Sequence, residues 1–275
     1  MKRALTNFIL ILVFLIGLSL LLYPSVSDWW NSMHQTRAIA NYSETVARLD
    51  TGVYDDIWQR AEAYNASLAR QGIRWTLSDG ELAEYNSQLD PGGTGIMGYI
   101  EIPKINCSLP IYHGTGDSVL QIAIGHIEGT SLPVGGESTH CVLSGHRGLP
   151  SAKLFTNLDQ LEAGDVFMLE VLNEVLSYEV DQILIVLPHE VDALAIQEGE
   201  DLCTLVTCTP YGVNSHRLLV RGHRVENQAS AGRIRVTAEA ILIEPLIVAP
   251  IVAVPMLLLL LVWLFVSTGK KSRRR

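Results

Sequence analysis

Two uninterrupted apolar runs, one near each end and each with basic residues on its outer side, constrain this chain more than any other feature. The first lies in "MKRALTNFILILVFLIGLSLLLYP", where Lys2 and Arg3 precede an apolar stretch over about 8–23. At a rise of about 1.5 Å per residue this is marginal for a hydrocarbon core of about 30 Å. It reads as a secretory signal or as an uncleaved signal anchor. The lack of a clear small-x-small cleavage site favours the anchor. The second run, "LIVAPIVAVPMLLLLLVWLFV" (246–266), holds no charge in 21 residues and is followed by "STGKKSRRR". A buried core helix would need polar residues to mark a solvent face, so a membrane helix is expected, with Pro250 and Pro255 tolerated there. By the positive-inside rule both termini are cytoplasmic and the intervening chain is exported.

Charge agrees with that division. Seven of the 20 Lys+Arg sit in the two tails, whereas all 29 Asp+Glu lie in 28–244, which leaves 13 cations there and a net of −16 with His neutral. So acidic a segment is a poor partner for nucleic acid, and the basic tails read as topology signals. The expected organisation is a membrane segment (1–27), a helical extension (28–94), a β-rich domain (95–226), a linker (227–245), a membrane helix (246–266) and a basic tail (267–275).

In the extension, Val46, Leu49, Val53, Ile57, Ala61, Tyr64 and Leu68 recur every three or four residues, an amphipathic helical pattern that Gly72 would stop. "LDPGGTG" (89–95) is turn chemistry and marks a boundary. Beyond it come short apolar or alternating runs: "IMGYIEI", "SLPIYHG", "THCVLSG", "DVFMLEVL", "LSYEVDQILIVL", "DLCTLVTCT" and "HRLLVRGHRV". Seven or more such strands predict a mainly β, antiparallel barrel or sandwich. The one helical candidate within it is 154–161.

The stretch "TLVTCTPYGVNSHRLLVRGHR" (204–224) raises the functional question: why does a thiol stand at a strand end beside two His and three Arg? Four cysteines in an exported domain suggest disulfides. Strand alternation, however, puts Leu202, Thr204, Val206 and Cys208 on one face and Cys203 on the other, so Cys203 and Cys208 should not pair. Cys107 and Cys141 are left as either a bridge or free thiols. Metal binding would need a close ligand pair, which Cys203, Cys208, His216 and His223 do not supply. A nucleophile needs a base and a charge stabiliser. In "LSGHRG", His146 follows a β-rich run among glycines, placed for chemistry. Of His216 and Arg217 only one can face Cys208, and alternation alone leaves both open. His34 and His189 read as surface loops; His113, His126 and His140 fit packing.

These motifs resemble the sortases, membrane-anchored cysteine transpeptidases of Gram-positive bacteria. "TLVTCTPYGVNSHRLLVRGHR" is similar to their T-L-x-T-C…R signature and "LSGHRG" to their histidine motif. "GYIEIPKINCSLPIYHGT" and "GHIEGTSLPVGGESTHCVLSGHRGLPSAKLF", with a C-terminal membrane helix, resemble class C, the pilin-polymerising branch. The resemblance implies an eight-stranded barrel flanked by a membrane helix at each end, with Cys208 near the end of the seventh strand as nucleophile. It makes His146 the general acid/base and Arg217, on the eighth strand, the oxyanion and substrate stabiliser, facing inward toward the thiol. Thr207 is a secondary candidate, with plain strand packing as the alternative. An ordinary thiol is only a few per cent ionised at neutral pH, so such neighbours raise its nucleophilicity. The implied reaction is attack on the Thr–Gly bond of an LPXTG-like sorting signal, then transfer from a Cys208 thioester to a pilin lysine. No metal or cofactor is implied; the partners are the bilayer, sorting-signal substrates and the acceptor lysine.

The chain departs from class C at the Asp-Pro-aromatic lid triplet, since Asp90-Pro91 is followed by Gly92. Trp75 and Asp79 are candidates for a substitute lid; a packing residue and a helix N-cap describe them equally well. Two rivals remain, a housekeeping-type sortase that uses a cell-wall amine and a non-catalytic pilus-assembly domain at the membrane.

Overall fold

The computed structural model describes residues 2–227 together with Pro255. Apart from Pro255, the expected membrane helix at 246–266 lies outside the described residues. Helix α1 (Lys2–Ala47) runs 46 residues through Pro24. Among the described residues it is the one helix long and apolar enough to cross a membrane, over Phe8–Ala47. His34, expected in a loop, lies within it, its Nδ1 2.8 Å from the Trp30 carbonyl.

The amphipathic stripe proves to be two helices, broken at 48–50. Val46 ends its run on α1, while Ile57, Ala61, Tyr64 and Leu68 form the buried face of α2 (Thr51–Gln71). Gly72 stops α2 as expected, at φ 81° with its amide on the Leu68 carbonyl at 2.7 Å. Helix α3 (Asp79–Asn86) starts with a capping box of Ser78 and Glu81, so the N-cap is Ser78 and Asp79 is an exposed first-turn residue.

Eight strands close a barrel: β1 (Ile96–Ile102), β2 (Cys107–His113), β3 (Ile124–His126), β4 (Thr139–Ser144), β5 (Val166–Val171), β6 (Glu174–Val186), β7 (Asp201–Thr209) and β8 (His216–Val225). They are ordered β1-β2-β3-β4-β7-β8-β6-β5. The barrel is not wholly antiparallel, because β2 with β3 and β4 with β7 pair in parallel. Parallel neighbours need a crossover. Residues 114–123, which carry the one-turn helix α4 (Asp117–Leu120), supply the first, and the β5–β6 hairpin with its connections supplies the second.

The helix expected at 154–161 is absent, and only Leu158–Gln160 forms a short 3-10 turn. The Phe155 amide bonds the His146 carbonyl at 3.1 Å, so it is not available to a helical ladder. Leu154, Phe155, Leu158 and Leu161 are nonetheless all buried, which accounts for their helix-like spacing.

Apolar residues cover both faces of β7. Cys203 and Leu205 join the barrel core, whereas Val206 joins a smaller outer cluster with Val142, Leu194 and Leu219. Leu194 belongs to the 187–200 connection, which roofs the outside of β4 and β7. His140 holds that roof, donating from Nδ1 to the Ala195 carbonyl at 2.9 Å and accepting from Thr204 Oγ1 at Nε2 at 2.7 Å.

Candidate active site

The parallel β4–β7 pairing makes the site. Its rungs run from Thr139↔Asp201 to Ser144↔Val206 without a slip. Past the end of β4 the Gly145 amide still bonds the Val206 carbonyl at 3.0 Å, and Thr207 Oγ1 donates to the Gly145 carbonyl at 2.7 Å. His146 follows Gly145 as Cys208 follows Thr207, so the two lie just past the last rung at the same end of the β4–β7 pair. From the other side, antiparallel β8 sets Arg217 directly opposite Cys208. Residues facing each other across a rung share a face, and neighbouring strands lie about 5 Å apart. The β7 end that carries Cys208 is therefore flanked by the His146 segment on the β4 side and by Arg217 on the β8 side, at one end of the barrel.

The register decides what alternation left open: Arg217 shares the thiol's face, and His216, paired with Thr209, takes the opposite one. That shared face is the outer one, with Val206 and Leu219, and not the barrel interior. Arg217 thus faces inward only in the sense of facing the thiol. All three residues are half-buried, as a site that admits a macromolecular substrate requires. Arg217 Nη1 donates to the carbonyls of Asn214 (3.2 Å) and His216 (3.1 Å), both in or beside the β7–β8 turn. Thr207 points into the core and is buried, its hydroxyl on the Gly145 carbonyl next to His146.

Trp75 is not brought to this end, and Asp79 sits exposed in the first turn of α3. The Arg74 amide bonds the Gly129 carbonyl at 3.1 Å. Trp75, 47 % exposed, lines a cavity of about 510 Å³ with Ser138 and residues of 191–198. Ser138 precedes β4 and His146 follows it, so about 20 Å of strand separates this cavity from the thiol.

All four cysteines are free. Cys141 faces Cys203 across a rung in the core, which removes it from the Cys107 pairing considered above. Burial pushes the Cys107 thiol up to about 12.

Spacing gave no reason to single out Arg147, Asp159 or Tyr211. The Arg147 guanidinium pairs with Asp159 and lies 5.8 Å from the centre of the Tyr211 ring, beside the catalytic candidates. Only the cation next to His146 and the aromatic three residues after Cys208 hinted at this contact.

Residues 100–225 match the Sortase domain. Sortase D of Bacillus subtilis (strain 168) is 30 % identical over 167 residues, 60 % of this chain and 81 % of that protein. The chain belongs to the sortase family. The solved structures it resembles include sortase C1 from Streptococcus agalactiae, at 55 % identity and TM-score 0.69 over 70 % of this chain and all of that one. Streptococcus pneumoniae sortase C is 46 % identical with TM-score 0.63, over 70 % of this chain and 98 % of that one. Clostridium perfringens sortase C is 44 % identical with TM-score 0.62, over 70 % of this chain and 100 % of that one. These relatives make the protein a cysteine transpeptidase with class C neighbours.

Proposed function

We propose that this sortase polymerises pilins at the outer face of the membrane, with Cys208, His146 and Arg217 as its reacting set. Cys208 Sγ attacks the Thr carbonyl of an LPXTG-like sorting signal while Arg217 stabilises the oxyanion. The C–N bond to Gly breaks as His146 protonates the leaving amine, and a thioester remains on Cys208. A neutral pilin lysine amine then attacks the thioester, and His146 takes its proton and passes it to the departing Cys208 sulfur. The products are an isopeptide bond and the free thiol, so His146 alternates between acid and base. The α1 anchor and the exported, acidic domain fit work on substrates that are themselves membrane-held; the second span at 246–266 is part of this proposal.

The observation that carries the reading is the double register at Cys208, with Arg217 paired to it directly and His146 reached by continuing β4–β7. Among the structural relatives, the Streptococcus pneumoniae enzyme is described in terms of pilin substrate specificity and the Clostridium perfringens enzyme together with a C-terminal cell wall sorting motif.

The test uses the full-length protein in detergent, an LPXTG-type peptide and a pilin with a candidate lysine, read by intact mass. A thioester adduct and a lysine-linked product are expected, both lost in Cys208→Ala. An adduct resolved by glycine amines but never by lysine would replace pilin polymerisation with cell-wall attachment. Absence of any adduct would leave a binding domain.

A further inference from the structure

We propose that Arg147 and Tyr211 are positioning residues that brace the His146 segment against the β7–β8 turn and thereby fix the spacing of His146, Cys208 and Arg217. This rests on the reading of those three residues as the reacting set, and it adds two residues that need never touch substrate.

The brace begins next to His146. The Arg147 side chain is only 11 % exposed, its guanidinium bound to the Asp159 carboxylate on one side. On the other it lies against Tyr211, its Cζ 5.8 Å from the ring centre, within cation–π range. Among the described residues its Nε is buried without a hydrogen-bond partner. A buried guanidinium with an unmet donor costs stability that an apolar side chain would not. Packing alone therefore gives no account of a cation here, whereas a stiff, two-sided contact does.

Gly148 allows the close approach. It sits at φ +75°, and a Cβ there would meet Tyr211 Cε2 at 2.9 Å, so the Tyr211 ring lies directly against the Gly148 backbone. Its amide bonds Thr156 Oγ1 at 3.1 Å, and the His146 carbonyl accepts from the Phe155 amide at 3.1 Å. The His146 side of the brace is thus anchored to 155–159.

Tyr211 opens the turn that carries Arg217. The Asn214 amide bonds the Pro210 carbonyl at 2.9 Å, and the Val213 amide bonds it at 3.1 Å, which makes the turn compact. The Asn214 carbonyl in turn receives Arg217 Nη1 at 3.2 Å. One continuous set of contacts therefore runs from Asp159 through Arg147, Tyr211 and the turn to Arg217, with His146 attached at one end and Cys208 three residues before Tyr211. Tyr211 itself is 61 % exposed, so its side chain contributes little to the core.

A displacement of about 1 Å in a reacting group costs about 100-fold in rate. Full-length enzyme carrying Tyr211→Leu, Tyr211→Phe, Arg147→Lys or Arg147→Met is compared with wild type for kcat and KM on an LPXTG-type peptide. In parallel, the rate of Cys208 alkylation by iodoacetamide is followed against pH. Tyr211→Leu and Arg147→Met are expected to lower kcat about 10- to 100-fold with KM within about 3-fold, and to shift the alkylation profile. Tyr211→Phe, which keeps the ring, restores most of kcat. Arg147→Lys recovers little, since an ammonium lacks the planar face that lies against the ring.

Wild-type kcat and an unchanged alkylation profile in both Tyr211→Leu and Arg147→Met would overturn the brace, even if melting temperatures fell. A rise in KM alone would overturn it too, by making Tyr211 a substrate contact. Cys208→Ala separates the two levels. If it remains active, the reacting set itself is wrong; if it is dead while the brace variants are normal, only this inference fails.

Discussion

Strands β4 and β7 carry two pairings that involve thiols, five residues apart on each strand. Across one rung Cys141 faces Cys203; the ladder ends at Ser144↔Val206, and His146 and Cys208 each lie two residues beyond that last rung. Five is an odd number, so the two pairings lie on opposite faces of the sheet. The first is sealed in the core, with Cys141 2 % and Cys203 0 % exposed, and burial pushes the Cys203 thiol well above its ordinary pKa. The second stands at the strand ends on the outer face, half-buried, with Arg217 opposite the thiol. Both involve a β7 thiol; parity and strand position separate a sealed thiol from an accessible one. A thiol can act as a nucleophile only where a substrate can reach it, and of these two pairings only the outer one is open to solvent.

Alkylation of the native protein tests this contrast most directly. Iodoacetamide followed by peptide mass mapping is expected to modify Cys208 at least about 1,000-fold faster than Cys141 or Cys203, which must wait for opening of a core worth several kcal/mol. Cys107, its pKa near 12, should also react slowly. Labelling of Cys203 at a rate near that of Cys208 would end the contrast.

Replacing Thr207 cuts the link between the two faces. Its side chain points into the core while its hydroxyl holds the Gly145 carbonyl at 2.7 Å, one residue before His146. Thr207→Val keeps the shape and strands that carbonyl, at about 1–3 kcal/mol. Urea unfolding should show a loss of that size, with kcat falling more than KM as His146 loses its seat. Unfolding curves that superimpose on wild type would reduce Thr207 to strand packing.

The strands and the parity of β7 were legible in the sequence because a side-chain period of two survives in any sheet with a buried face. Of the eight strands, β3 escaped because three residues are too few to show a period. The parallel pairings were not legible, since alternation is the same for either direction and only the crossover decides. That gap mattered, because parallel β4–β7 is what carries the ends of both strands, and so His146 and Cys208, to the same end of the barrel. The helix expected at 154–161 failed for a related reason: its apolar spacing was real, but the Phe155 amide serves His146. The contact between Arg147 and Tyr211 joins residues 64 positions apart, with no periodic trace. Trp75 and Asp79 stood at a lid's place in sequence, yet the chain pins Arg74 to Gly129, in the β3–β4 connection that runs beside His140–Val142.

The smallest expected effect concerns a second contrast on the same strand. His140 lies on β4 and His146 just past its end, but His140 is fully buried beneath the 187–200 roof, bonded to the Ala195 carbonyl and Thr204 Oγ1. Burial lowers its pKa from the ordinary 6.5, against the pull of the Ala195 carbonyl; nearby Arg221 lowers it further and Asp181 raises it. Above pH 6.5 both the folded and unfolded chains carry a neutral imidazole, and His140 has no effect on the pH dependence. Below 6.5 the unfolded chain takes up a proton that the folded one refuses, so stability falls as pH drops toward the lowered value. The slope from one such site is at most about 1.4 kcal/mol per pH unit. His113, also lowered by burial, adds in the same direction. Thermal melts between pH 7 and 5 should therefore show a decline that is shallower in His140→Asn. Identical slopes in the two proteins would mean that His140 is charged under the roof, and the sealed and open ends of β4 would then differ in exposure but not in protonation.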